Sequence, residues 1–126
     1  MTAQGSAYTR FKRALKSGNA HLALDAASEL QRIDLADALS LLLLIREDKP
    51  VLYDKAAVRW FAKYAAEDRY LLLRDARELV DLLDGVGRHD QVAVVRLERW
   101  LRARGYDGEA DRVVSRSARG FRTSAW

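Results

Sequence analysis

A ten-residue pattern occurs twice in this chain. Leu35-Ala36-Asp37-Ala38-Leu39-Ser40-Leu41-Leu42-Leu43-Leu44 returns as Leu73-Arg74-Asp75-Ala76-Arg77-Glu78-Leu79-Val80-Asp81-Leu82, both reading L-x-D-A-x-x-L-L/V-x-L, 38 residues apart. A period of that size is one helical hairpin in a stacked array. Each hairpin alone leaves an apolar face open, and its neighbour closes it. Arg59-Trp60-Phe61 and Arg99-Trp100-Leu101 form a second pair of landmarks, 40 residues apart.

Apolar residues recur at intervals of three and four, and no segment alternates with a period of two. The expected fold class is therefore all-α. About seven helices are expected, arranged as three stacked antiparallel helical hairpins plus a C-terminal capping helix; a compact orthogonal helix bundle is the alternative. The first helix is read over 7–17, with Tyr8, Phe11 and Leu15 inward. Gly18 suits a left-handed cap because it lacks a Cβ, and Asn19 caps the second helix, 20–31. The stripe Leu22, Ala23, Ala26, Ala27 and Leu30 would be buried there. Asp34 opens the third helix, with the Asp37 charge near its positive end. Leu41 to Ile45 is apolar all round, which makes this the central helix. Pro50 fits the first position of the fourth helix, which carries Tyr53, Ala57, Trp60, Phe61 and Tyr64. The fifth helix ends at Gly85. The sixth spans 90–104, with Val92, Ala93, Leu97, Trp100 and Leu101 inward. Gly105 ends it, and the seventh helix runs over 108–118.

Gly18-Asn19-Ala20-His21-Leu22-Ala23 and Gly105-Tyr106-Asp107-Gly108-Glu109-Ala110 match the G-x-x-x-x-A turn between the helices of tetratricopeptide repeats. The chain resembles helical-hairpin repeat proteins of the tetratricopeptide and HEAT kind through these turns. The aromatic that the first family places three residues after the glycine is absent from both, and the period is nearer that of HEAT repeats. The chain also looks like small all-helical actinobacterial proteins. The repeat resemblance implies a scaffold that binds other macromolecules.

At 126 residues the chain fits one domain, read as 1–118 with a basic, aromatic tail over 119–126. It has no cysteine, which excludes disulfides and thiolate zinc sites and agrees with a cytoplasmic location, while 17 arginines against 5 lysines fit a GC-rich bacterial genome. Residues 1–10 lack an apolar leader core. The longest apolar run, Leu41 to Ile45, falls far short of the ~20 residues a membrane helix needs. No membrane association is expected.

Catalytic and cofactor chemistry find little support. His21 and Asp25 share a helical face, but a metal site needs three or four ligands. His89 beside Asp90 reads as a turn residue. The serines lie in no G-x-S-x-G setting, and Gly85-Val86-Gly87 has neither P-loop nor dinucleotide spacing. Acid pairs such as Asp81 and Asp84 read as helix surface. The aromatic stripe Tyr53, Trp60, Phe61 and Tyr64 reads as core before it reads as a ligand pocket. No catalytic residue, metal or cofactor is assigned.

Charge is the sharper signal. Residues 96–126 hold eight arginines against four acids, so the whole excess of four positive charges sits there. Arg112, Arg116 and Arg119 would share one face of the last helix, with Arg122 beyond and Phe121 and Trp126 interleaved. Ala110, Val113, Val114 and Ser117 would face the domain. Arg112, Arg116, Arg119, Arg122 and Trp126 are therefore the candidate residues for nucleic acid or an acidic partner, since guanidinium pairs with phosphate and aromatics stack on bases. Docking of the same helix on an acidic face of its own domain competes with that reading. The expected function is a non-enzymatic protein–protein interaction or scaffold module, with a protein partner or a second copy of the chain. The alternative is a nucleic-acid-associated accessory protein that uses the basic C-terminal helix.

Overall fold

The computed structural model describes the backbone of residues 3–124 and the side chains of residues 5–116. Among the described residues there are seven α-helices, one 3-10 turn and no strand. The helices are α1 (Ala3–Ser17), α2 (Ala20–Ser28), α3 (Leu35–Asp48), α4 (Tyr53–Glu67), α5 (Leu73–Gly87), α6 (Gln91–Ala103) and α7 (Asp107–Ser124). The all-α expectation holds.

The helix starts follow local chemistry. Asn19 accepts from the Leu22 N–H at 3.0 Å, Asp34 from Asp37 at 2.7 Å and Asp90 from Val92 at 2.9 Å. Each side chain satisfies a backbone donor that the first helical turn leaves open. Gly18 and Gly105 both adopt positive φ, at 79° and 89°. Pro50 opens not α4 itself but a 3-10 turn, Pro50–Leu52, that leads into it.

Other boundaries differ from the sequence reading. α2 stops at Ser28, where the hydroxyl turns back to the Asp25 carbonyl at 2.6 Å and the Glu29 N–H closes on Ala26. α5 runs through Gly85 to Gly87, and the αL turn falls on His89 (φ 61°). These two glycines serve close packing: a Cβ at Gly85 would lie 2.6 Å from Ala93 Cβ, and one at Gly87 would lie 2.5 Å from the Tyr53 ring. α7 continues past Ala118 to Ser124, so most of the segment read as a tail is helical.

Every consecutive pair of helices packs together, and α3 also touches α1 and α7. The last helix thus returns to the middle of the chain and closes the bundle around α3. This agrees with the burial of Leu39, Leu42, Leu43, Leu44 and Ile45 on all sides of α3. Ala20, Ala23 and Ala26 let α2 approach α1 closely. Leu35 and Leu79 are both buried, as the amphipathic reading requires. Leu22 and Val92, read as inward, are exposed instead.

Aromatic residues join the second half. Trp60 is buried, donates Nε1–H to the Leu35 carbonyl at 3.1 Å and stacks on Tyr64 at 5.5 Å. Tyr64 meets Trp100 at 5.5 Å and Tyr106 at 4.9 Å on its other sides. The two tryptophan landmarks of the sequence therefore meet across one tyrosine ring. The stripe is mostly core, with Phe61 half-buried at its edge.

Candidate functional site

Among the described residues two carboxylates are buried, and both are tied by cations. Asp37, in the first turn of α3, lies only 2% exposed. Its Oδ2 accepts from the Tyr8 hydroxyl at 2.9 Å, and its Oδ1 accepts from Lys12 Nζ at 3.2 Å and Arg112 Nη1 at 2.9 Å. One side chain of α3 thereby holds α1 and α7 together. Burial pushes the carboxyl pKa up, but the bonds from Tyr8, Arg112 and Lys12 outweigh it and hold Asp37 below its ordinary value. The same bond pushes the Tyr8 phenol up. Sequence reasoning placed Asp37 at the helix end for dipole reasons and missed this role. The available signal was a charge, three residues before Ser40, in the otherwise apolar stretch of α3 from Leu35 to Ile45.

Asp68, just past α4, forms the second knot. It accepts from Arg104 Nε at 2.7 Å, from the Tyr64 hydroxyl at 2.6 Å and from the Tyr70 N–H at 3.1 Å. Arg104 lies over the Trp100 ring at 5.0 Å and reaches Asp75 at 3.5 Å. The Arg104 bond, ahead of the opposing burial, lowers the Asp68 pKa, while burial and the bond to Asp68 raise that of Tyr64. Both shifts lead away from neutrality, so the pair is poised to stay Asp⁻ and Tyr–OH. It clasps the α4–α5 connection to the end of α6 and is unsuited to proton transfer near pH 7.

The arginines singled out in sequence come out differently. α7 buries Ala110 and Val113 as expected, but Val114 is 47% exposed. Arg112 donates to Asp37 and to Ser40 Oγ at 2.8 Å, and Arg116 donates to the Leu15 carbonyl at 2.7 Å. Arg116 and Val114 flank the buried stripe on opposite sides, and α1 and α3 cover the arginine side. Arg112 thus faces α3 and Arg116 faces α1 of the same domain. The side chains of Arg119 and Arg122, and all of Trp126, lie outside the described residues.

Around these two arginines the three helices leave a cleft of about 450 Å³. Lys12, Leu15 and Lys16 of α1, Ser40 of α3, and Arg112, Ser115 and Arg116 of α7 line it.

On a different face, α4 and α5 enclose a groove of about 390 Å³. Tyr53, Ala57, Val58, Phe61, Val80 and Leu83 line it together with three acids, Asp54, Asp81 and Asp84. Val58 is 67% exposed and Val80 48%. Leu73, one heptad before Val80 on the same face of α5, is 72% exposed. Tyr53 donates to the Leu83 carbonyl at 2.7 Å and is pinned against Gly87, so the two helices are held at a fixed separation.

His21 approaches Asp25 at 3.5 Å on the surface of α2. Among the described residues no three histidines or acids are grouped to hold a metal, and no helix is long and apolar enough to cross a membrane. No protein family, curated protein or solved structure matches the chain.

Proposed function

We propose that this protein is a non-enzymatic interaction module, and that its α4–α5 face receives a cationic amphipathic helix of a protein partner. The observation that carries this reading is the α4–α5 groove itself: exposed valines and three carboxylates line it together. A helix laid in such a groove buries its apolar stripe on Val58, Phe61 and Val80 while its lysines or arginines meet Asp54, Asp81 and Asp84. Exposed apolar surface rimmed by charge is the usual mark of a contact site. Complementary charge sets register and on-rate more than affinity. A second copy of the chain would need another helix for this, because α7 commits its apolar stripe and the Arg112 and Arg116 side chains to its own domain.

The test compares the tagged protein with a Val58→Glu/Val80→Glu variant, both recovered from native cells. Both substituted positions are open, so the fold is expected to survive. The reading requires a protein that is retained by the parent, lost by the variant and equipped with a basic amphipathic helix. Identical retained proteins for both would refute it, and sedimentation of the purified chain reports self-association separately.

The arginines of α7 support a second reading, nucleic-acid association, on the observation that Arg112 and Arg116 share one cationic cleft. It is weaker, because Arg112 is already paired with Asp37. A gel shift at low salt decides it, with binding that must weaken steeply as salt rises.

A further inference from the structure

We propose that the cleft between α1, α3 and α7 is a binding site for a diphosphate group carried by a small molecule. It lies on other residues than the α4–α5 groove and does not depend on that reading. Four cations line it, Lys12 and Lys16 from one helix and Arg112 and Arg116 from another. Each pair is spaced by four residues, so each forms one row along its helix. Asp37 Oδ1 bonds to one member of each row, which fixes the distance between the rows. Among the described residues that line it, subtracting that carboxylate from the four cations leaves a formal net of three positive charges. A single phosphate ester carries roughly two negative charges and a diphosphate about three, so the diphosphate is the better match.

The geometry is set before any ligand arrives. Arg116 is held by the Leu15 carbonyl and Arg112 by Asp37 and Ser40. A guanidinium carries five N–H donors, and the two Arg112 bonds just named use only its Nη1. Ser40 Oγ accepts from Arg112, which leaves its own proton for an acceptor. Ser115 adds a second hydroxyl. The opposing field comes from Asp37 and from the carbonyls at the end of α1. One of those is covered by Arg116, and the Gly18 and Asn19 amides bond to the carbonyls of Leu15 and Ala14. The volume of about 450 Å³ admits more than a lone phosphate and lies within the usual range for small-ligand sites. Among the described residues Leu15 is the one apolar side chain that lines it, and the rest of that lining is polar or charged.

The probe is inorganic pyrophosphate, titrated calorimetrically into the full chain at constant ionic strength. Sulfate, orthophosphate and a short oligonucleotide, single-stranded or duplex, serve as comparators. Saturable one-to-one binding is expected, tighter than sulfate or orthophosphate by about tenfold or more. Lys16→Glu and Ser115→Ala alter exposed positions and are expected to leave the melting temperature unchanged. Lys16→Glu should weaken pyrophosphate binding at least tenfold, Ser115→Ala by less, and Val58→Glu/Val80→Glu not at all. The proposal is overturned if pyrophosphate does not bind, if Lys16→Glu binds it equally well, or if sulfate does as well at equal ionic strength. It is overturned in favour of nucleic acid if the oligonucleotide binds more tightly than pyrophosphate and displaces it.

Discussion

Replacing Asp37 by asparagine keeps the shape of the side chain and removes its charge. In the native protein that charge receives three hydrogen bonds, two of them from cations. Charge-assisted bonds contribute about 1.5–3 kcal/mol each, and removing one partner of a fully buried ion pair costs ~3–5 kcal/mol. Here the partners are not fully buried: the side chains of Lys12 and Arg112 are 43% and 31% exposed and can turn to water. The amide can still bond to Tyr8. The expected loss is therefore about 2–3 kcal/mol, or a fall in melting temperature of roughly 10 °C for a chain of this length. Urea unfolding followed by circular dichroism measures it, with an unchanged denaturant slope. The sign of the pH dependence follows from the lowered native pKa of Asp37. The unfolded chain binds the proton more readily, so the native form loses this stability as pH falls from about 4 through the depressed native value. The asparagine variant has no such group. The gap between the two proteins must be constant above about pH 5 and must narrow toward pH 2.5. Arg112→Gln added to Asp37→Asn must cost less than the sum of the two single changes. A gap below ~0.5 kcal/mol at pH 7, or one that does not change with pH, would refute the assignment of Asp37 as an ionised clasp.

Three further changes probe the packing. Trp60→Ala removes a buried indole and its bond to Leu35, and should cost ~3–5 kcal/mol by urea unfolding; an unchanged melting temperature contradicts the core assignment. Gly87→Ala drives a methyl group into the Tyr53 ring and should destabilise by about 1–3 kcal/mol, whereas Gly108→Ala meets nothing within 4 Å and should stabilise by up to about 1 kcal/mol. If both alanines act alike in thermal melts, helix propensity outweighs the contact with Tyr53. His89→Gly relieves a non-glycine residue at φ 61° and should raise stability by about 0.5–1 kcal/mol, less than the strain itself because glycine also loosens the unfolded chain.

What was legible in the sequence was what a residue decides with its near neighbours. Asn19, Asp34 and Asp90 cap backbone donors two or three positions away, so their roles could be read directly. Gly18 and Gly105 follow from the absence of a side chain alone. Gly85 and Gly87 could not be read that way, because their reason is Ala93 in one case and Tyr53, on another helix, in the other. The faces of α7 were misjudged for a similar cause. A wheel drawn on one helix shows that Arg112 and Arg116 sit together, but only the arrival of α1 and α3 decides that they turn inward while Val114 stays in water. The repeated decapeptide shows where this limit lies. Its two leading leucines both occupy the first residue of a helix. Leu35 is nevertheless 3% exposed and Leu73 is 72%. The aspartates two positions on diverge as well: Asp37 is buried beneath Tyr8, Lys12 and Arg112, while Asp75 accepts the Leu72 N–H and leans toward Arg104. Local pattern sets where a helix begins, and contacts between distant segments set what surrounds it. The candidate cleft is made wholly of the second kind. Its two cation rows are separated by about a hundred residues in sequence and meet because a carboxylate between them is cheaper to bury paired than alone.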